Sequence, residues 1–307
     1  MRILAFLAVL AWSSPVLAQT PNCSAQWSRL VDAMGRLFGM SAPAPGLFRQ
    51  TADKGCRTNG LVFPVNEHVV VKAESLTWSG RDMDRFVEGG LPPTGIALTL
   101  SGIRIVPQVG DKTFQYLQDV QSRGQNIEVS LSVNWDAADN VVSVDNLLIS
   151  LPSDDFIRFE AQVEGVDLST AESLRNSAIS FGVTLVDLEI RSERIFQNYL
   201  LLPLGMVLLE GQSNPEARVD ELKDIAKTAV EGAPSQLVSE GSKAALLSLV
   251  EDLPEPAGTL RLQQTANPGI GVARGLAFGM QAERAETLDD LWPLFDGIDV
   301  EITYDRF

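Results

Sequence analysis

The amino-acid sequence predicts an α+β fold: a large, mainly antiparallel, curved sheet with helices packed on one face. The first observation behind this is strict alternation between residues 127 and 135. Ile127, Val129, Leu131, Val133 and Trp135 share one parity, and Glu128, Ser130, Ser132 and Asn134 the other. Successive side chains of a strand point to opposite faces, so the pattern describes a strand with one face in a core and one in water. The second observation is the turn chemistry that follows, Asp136-Ala137-Ala138-Asp139-Asn140, and the return strand through Val142, Val144, Leu147, Ile149 and Leu151. Apolar parity changes between Val144 and Leu147, which predicts a bulge there. The third is that short amphipathic helical segments separate such strands along the chain, as a helix-on-sheet packing requires.

Residues 1–18 read as a secretory signal. Arg2 gives a positive start, residues 3–12 are apolar, and Val16-Leu17-Ala18 fits the small-residue cleavage rule. Gln19 rather than Cys follows the expected cleavage point, which predicts a soluble exported chain without a lipid anchor. No other apolar stretch approaches the roughly twenty residues of a membrane-spanning helix. The expected localisation is therefore periplasmic or secreted. The chain carries a net charge of −16, and loss of Arg2 with the signal makes it more acidic still. Such a surface repels nucleic acid and anionic headgroups. Cys23 and Cys56 are the only cysteines, and on an exported chain an even pair predicts a disulfide.

In the N-terminal third, Trp27, Leu30, Val31, Met34, Leu37 and Phe38 recur at helical spacing. Strands follow at 61–64 and 69–78, then a single helical turn at 82–87. Leu91-Pro92-Pro93-Thr94-Gly95 reads as a rigid connector, dividing an N-terminal unit, 19–93, from a main sheet-plus-helices unit, 94–307. These two remain compatible with one continuous domain. A strand at 96–105 and a helix at 112–121 come next. Phe114-Gln115-Tyr116-Leu117 after the first, and Phe196-Gln197-Asn198-Tyr199-Leu200 after the strand ending at Ile190, are similar enough to read either as a duplicated strand-then-helix unit or as shared periodicity.

Further on, Phe159, Ala161 and Val163 form a strand. Ser169-Thr170-Ala171-Glu172 has the capping-box spacing, and residues 179–191 form the next strand. A helix from Glu193 is expected to break at Pro203 and Gly205. Residues 200–209 are apolar apart from Pro203 and Gly205. This fits a lipid-touching segment or a helix end and strand buried on both faces, and burial is the reading adopted. Asn214 and Pro215 open a helix to Val230, and a second runs from Ser235 to about Glu251. A strand at 258–264, a turn at Asn267-Pro268-Gly269, a helix capped by Thr287 holding Leu288, Leu291 and Trp292, and a strand from Ile298 to Tyr304 complete the chain.

Motifs of catalysis are sparse. His68 is the single histidine, so any triad, two-His zinc site or Cys-His dyad would have to use it. Nucleophile-elbow, Ser-x-x-Lys, phosphate-loop and His-Glu-x-x-His patterns are missing. Asp136, Asp139, Asn140 and Asp145 could ring a calcium ion, but Asp and Asn are also what a hairpin turn prefers. No catalytic residue, metal or cofactor is assigned. The chain resembles a class of uncharacterised exported, periplasmic Gram-negative envelope proteins. The resemblance rests on a signal peptide, long alternating strands with Leu-Xaa-Leu or Val-Xaa-Leu cores, short intervening helices and a terminal strand such as Ile298 to Tyr304. It covers residues 60–307 and carries no motif from which functional residues follow. It implies a sheet presented to lipids or to lipidated proteins.

The expected function is thus a non-enzymatic envelope protein that binds or shields an apolar, lipid-like ligand in a groove between sheet and helices. Leu200, Leu201, Leu204, Met206 and Leu208 are the candidate ligand-contacting residues. An acidic protein–protein interaction module is the alternative, predicting a packed core and an exposed apolar patch. A carboxylate-based hydrolase is the third, predicting a polar cleft with convergent carboxylates of raised pKa.

Overall fold

The computed structural model describes residues 22–38, 47–108, 110–211, 213–235, 237–282 and 295–307. The expected signal at 1–18 and the helix expected from Thr287 lie outside these residues. The strands are β1 (Arg49–Gln50), β2 (Cys56–Asn66), β3 (Val69–Arg81), β4 (Gly95–Pro107), β5 (Ile127–Asp136), β6 (Val141–Ser150), β7 (Phe156–Glu164), β8 (Gly182–Ser192), β9 (Gly258–Ile270) and β10 (Ile298–Arg306). They form one antiparallel curved sheet in which every strand pairs with its neighbour in the chain, β1 through β10. The fold is α+β, as the alternation predicts. The Leu91–Gly95 connector links β3 to β4, which pair along residues 69–81, so the sheet continues across the expected boundary.

Alternation decides which face each residue joins, and bulges keep the apolar residues on one face. The expected bulge in β6 is present: Ser132 stands opposite Asn146 and Val133 opposite Val144, leaving Asp145 as the extra residue. β4 carries another, where Leu100 pairs with Val129 but Ile103 with Ile127. Gly102 sits there at φ 65°, and a Cβ in its place would lie 2.4 Å from Cγ of Glu74, so the glycine is required by both backbone and neighbour. Apolar positions are even before Gly102 (Leu98, Leu100) and odd after it (Ile103, Ile105).

Helices form the connections. They are α1 (Cys23–Phe38), α2 (Met83–Val87), α3 (Lys112–Ser122), α4 (Ala171–Ser180), α5 (Leu201–Leu208), α6 (Pro215–Gly232), α7 (Glu240–Asp252) and α8 (Val272–Ala282). Several starts follow capping rules: Asp111, Asn214 and Ser239 accept from the backbone N–H three residues on. At α4 the cap is Thr170, accepting from Ser173 N, and not the Ser169–Glu172 pair. Pro203 does not interrupt the helical run, because a π-helical turn (Phe196–Leu200) passes directly into α5 just before it, and this local switch to wider i→i−5 bonding accommodates the proline. The segment 267–269 is not a turn either; β9 runs through it to Ile270.

Fully buried side chains gather at the two ends of the sheet. At the first, α1 lies on the apolar face of β2–β5. Trp27 and Trp78 ring centroids are 6.0 Å apart, and Phe48 meets Trp78 edge-on at 6.2 Å. Gln26 Oε1 accepts from Trp78 Nε1 at 2.9 Å, so the buried indole N–H is satisfied. The Cys23–Cys56 disulfide, with Cα atoms 5.6 Å apart, ties α1 to β2 beside this cluster. At the other end α7 covers the outer edge of β10. Ile302 N donates to the buried Ser242 Oγ at 2.9 Å and Val300 N to Leu237 O at 3.2 Å. Edge N–H groups that could recruit another strand are thereby occupied.

Tyr304 locks this end, its hydroxyl donating to Asp252 Oδ2 at 2.8 Å. Burial, and next the Asp252 carboxylate, push that hydroxyl up to about 12. The folded value lies above the unfolded value of about 10, so the contribution is complete below pH 10 and is lost as pH rises through 12. Thermal unfolding between pH 9 and 12 should therefore show a steeper loss of stability for the natural chain than for Tyr304→Phe, with the two curves parallel below pH 9.

Candidate functional site

The candidate site arises from the pairing register. Because the strands are paired in order, apolar residues stand opposite apolar residues across the sheet. Leu98 faces Leu131, Leu131 faces Leu147, Leu147 faces Phe159, Phe159 faces Leu188, Leu188 faces Leu262, and Leu262 faces Ile302. A second row, two residues along each strand, reads Leu76, Leu100, Val129, Ile149, Ile157, Ile190, Leu260 and Tyr304. From β3 to β9 there are six interstrand steps of about 4.8 Å, so these rows run roughly 29 Å.

The opposite face is polar. Thr77, Thr99 and Ser130 stand in line on β3–β5. Farther along, Arg158 pairs with Glu189 at 3.0 Å, and the Arg261 guanidinium forks onto the Asp187 carboxylate at 2.5 and 3.0 Å. The sheet is thus a two-faced layer whose reverse face is polar and meets water, except at β3–β4, where α3 packs on it through Lys72–Asp119 and Val106 is buried.

Over the middle strands the apolar face is not packed away. Leu131, Leu147, Ile149, Ile157, Phe159, Leu188, Ile190, Leu260 and Leu262 are all half-buried, whereas Leu61 and Trp78 at the α1 end are fully enclosed. A groove of about 350 Å³ opens beside α1. Its wall is Phe63 and Val65 from β2, Val71 and Leu76 from β3, Leu98 and Leu100 from β4, Val129 and Leu131 from β5, and Leu147 from β6, joined by Leu30 of α1. All ten are apolar. The volume lies in the range of ligand sites, roughly 300–1,000 Å³. Such a wall offers dispersion and water release and no hydrogen bond, so it selects for a hydrocarbon and against a sugar, nucleotide or peptide backbone.

The residues expected to touch a ligand lie elsewhere. Leu200, Leu201, Leu204, Met206 and Leu208 belong to α5 and the turn of π-helix before it (Phe196–Leu200), and all five are exposed to solvent. The expectation that 200–209 is buried on both faces is therefore corrected. Among the described residues, the segment is fixed by hydrogen bonds before α5 begins. The buried Asp155 carboxylate accepts from Glu193 N and Arg194 N at 2.6 and 3.2 Å, and Ser192 Oγ accepts from Ile195 N at 3.0 Å. Ile195 is buried, and from Tyr199 onward the segment emerges into solvent.

Titratable groups are tied up structurally. His68 is exposed on the β2–β3 turn, 3.3 Å from Glu67. Asp136 Oδ1 accepts from Ala138 N in the β5–β6 turn, and Asp145 accepts from Asn134. Asp252 and Glu251 meet Arg306 and Lys227. The carboxylates that shift, Asp53, Asp119, Asp167 and Glu240, are held below their usual range, Asp119 chiefly by its hydrogen bond from Lys72 at 2.5 Å and Asp53 by that from Thr51. A general acid poised for hydrolysis would shift the other way. Comparison with known proteins finds no family model and no curated protein that matches this chain.

A groove wall and a packed core respond differently to truncation. Leu131→Ala and Leu147→Ala should each lower stability by about 1–2 kcal/mol, since part of the surface they lose is already wet, whereas Trp78→Ala should cost about 3–5 kcal/mol. Urea denaturation of the three variants measures this.

Proposed function

We propose that this chain is an exported, non-enzymatic envelope protein that holds a lipid-like hydrocarbon chain against the apolar face of its sheet. The observation that carries the reading is the groove at β2–β6, walled entirely by apolar side chains and continuous in register with half-buried rows up to β9. Leaving such rows to water costs about 25 cal/mol for each Å² exposed, and an alkyl chain laid on them relieves that cost. The Cys23–Cys56 disulfide supports an oxidising compartment such as the periplasm, and no described helix is long and apolar enough to cross a membrane. The polar reverse face keeps a loaded sheet soluble.

Titration with cis-parinaric acid, whose fluorescence rises in an apolar site, tests this. The natural chain should saturate with about one equivalent near the groove, and Leu131→Glu, placing a charge on the wall, should weaken binding at least about tenfold while far-ultraviolet dichroism stays unchanged. No fluorescence rise, or equal binding by both proteins, would contradict the assignment.

A further inference from the structure

We propose that α5 is a membrane-docking element that inserts into one leaflet of a bilayer with zwitterionic or uncharged headgroups. Two features of α5 point to lipid in preference to a protein partner. It lies in a ten-residue run without a charged side chain, from Leu200 to Leu209. Its exposed apolar residues also surround the helix. At 100° per residue, Leu201, Leu202, Leu204, Met206, Val207 and Leu208 occupy every quadrant, and Leu202, Met206 and Val207 are 74, 67 and 76 % exposed. A protein groove covers one stripe of a helix and leaves the rest wet. A hydrocarbon medium covers all of it.

Dimensions agree with partial insertion. Eight residues at 1.5 Å per residue make α5 about 12 Å long, close to half of a hydrocarbon core of about 30 Å. Helix α5 reaches into one leaflet and cannot cross. Tyr199 stands at its base, where an amphipathic ring belongs at the headgroup level. The topology places a second helix nearby. β4 and β8 end at the same edge of the sheet, so α3 and α5 leave that edge together, four strands and roughly 19 Å apart. There α3 exposes Phe114, Tyr116 and Leu117. α3 is thus a second exposed apolar patch at the same edge of the sheet. The net charge of −16 repels anionic lipids, which restricts the docking surface to neutral or zwitterionic headgroups and to apolar rather than electrostatic attraction.

This inference does not depend on the groove holding a ligand, and the two are separable by experiment. The full chain lacking residues 1–18 is floated through a density gradient with phosphatidylcholine vesicles. It should rise with the vesicles, to the same extent at about 0.1 and 1 M NaCl. The double variant Leu202→Asp/Val207→Asp alters only exposed positions, and should lose at least about tenfold in the floated fraction while still binding cis-parinaric acid as the natural chain does. Protein remaining at the bottom of the gradient, or a variant that floats equally well, would overturn the proposal. So would gel filtration showing a natural-chain dimer that the variant dissociates, because a second copy would then cover α5.

Discussion

Everything in this molecule depends on one constraint: ten strands paired in chain order must keep their apolar residues on one face through every crossing. A slip of one residue in any pair would turn a whole strand's hydrophobic set into water. The sheet meets the constraint with bulges placed where a strand's apolar parity changes. Asp145 is the extra residue in β6 and Gly102 marks the change in β4, while β8 carries Thr184 as its extra residue against β7. These irregularities are why Leu98 can share a row with Leu262 across four intervening strands.

Given such a face, the two ends are treated differently from the middle. At one end α1, the disulfide and the Trp27, Phe48 and Trp78 cluster make a true core. By the chain-entropy model, closing a loop of this size contributes on the order of 3–4 kcal/mol, and it does so beside the groove wall, holding Leu30 over the strands. At the other end α7 closes the outer strand, through Ser242 and Tyr304. Between them, rows that would be buried in an ordinary sheet-and-helix layer remain half open. Rigid ends with an unpacked apolar middle are what a site for a flexible hydrocarbon needs, since the wall is preorganised and the ligand alone is ordered on binding.

Much of the fold was legible in the chain because period-two alternation is a local signal. Residues 127–135, the bulge between Val144 and Leu147, the Asn214 cap and the pairing of the last strand all follow from nearest-neighbour chemistry. What local pattern cannot say is what lies over an apolar face. The alternation of Leu131 and Leu147 is identical whether a helix covers them or a ligand does, so the pattern alone does not mark the groove wall, and the more apolar run at 200–209 stands out instead. That run is a helix exposed around its circumference, and among the described residues the hydrogen bonds that fix the segment, at Asp155, Ser192 and Ile195, lie before α5 begins or on the β6–β7 connection. Pro203 is tolerated for a related reason, since the π-helical turn that accommodates it is a feature of the folded segment and not of the residue type. The Phe-Gln similarity between 114–117 and 196–200 does have a spatial counterpart: both segments begin helical connections at one edge of the sheet.

The central claim is that the apolar face of β2–β9 is a lipid-binding surface. Native mass spectrometry of the protein purified from its own cells without detergent, followed by solvent extraction, tests it most directly. The account predicts a population heavier than the polypeptide, with the added mass recovered in the organic phase as molecules bearing alkyl chains. A single species at the mass of the disulfide-bonded chain, unchanged by extraction, would contradict it.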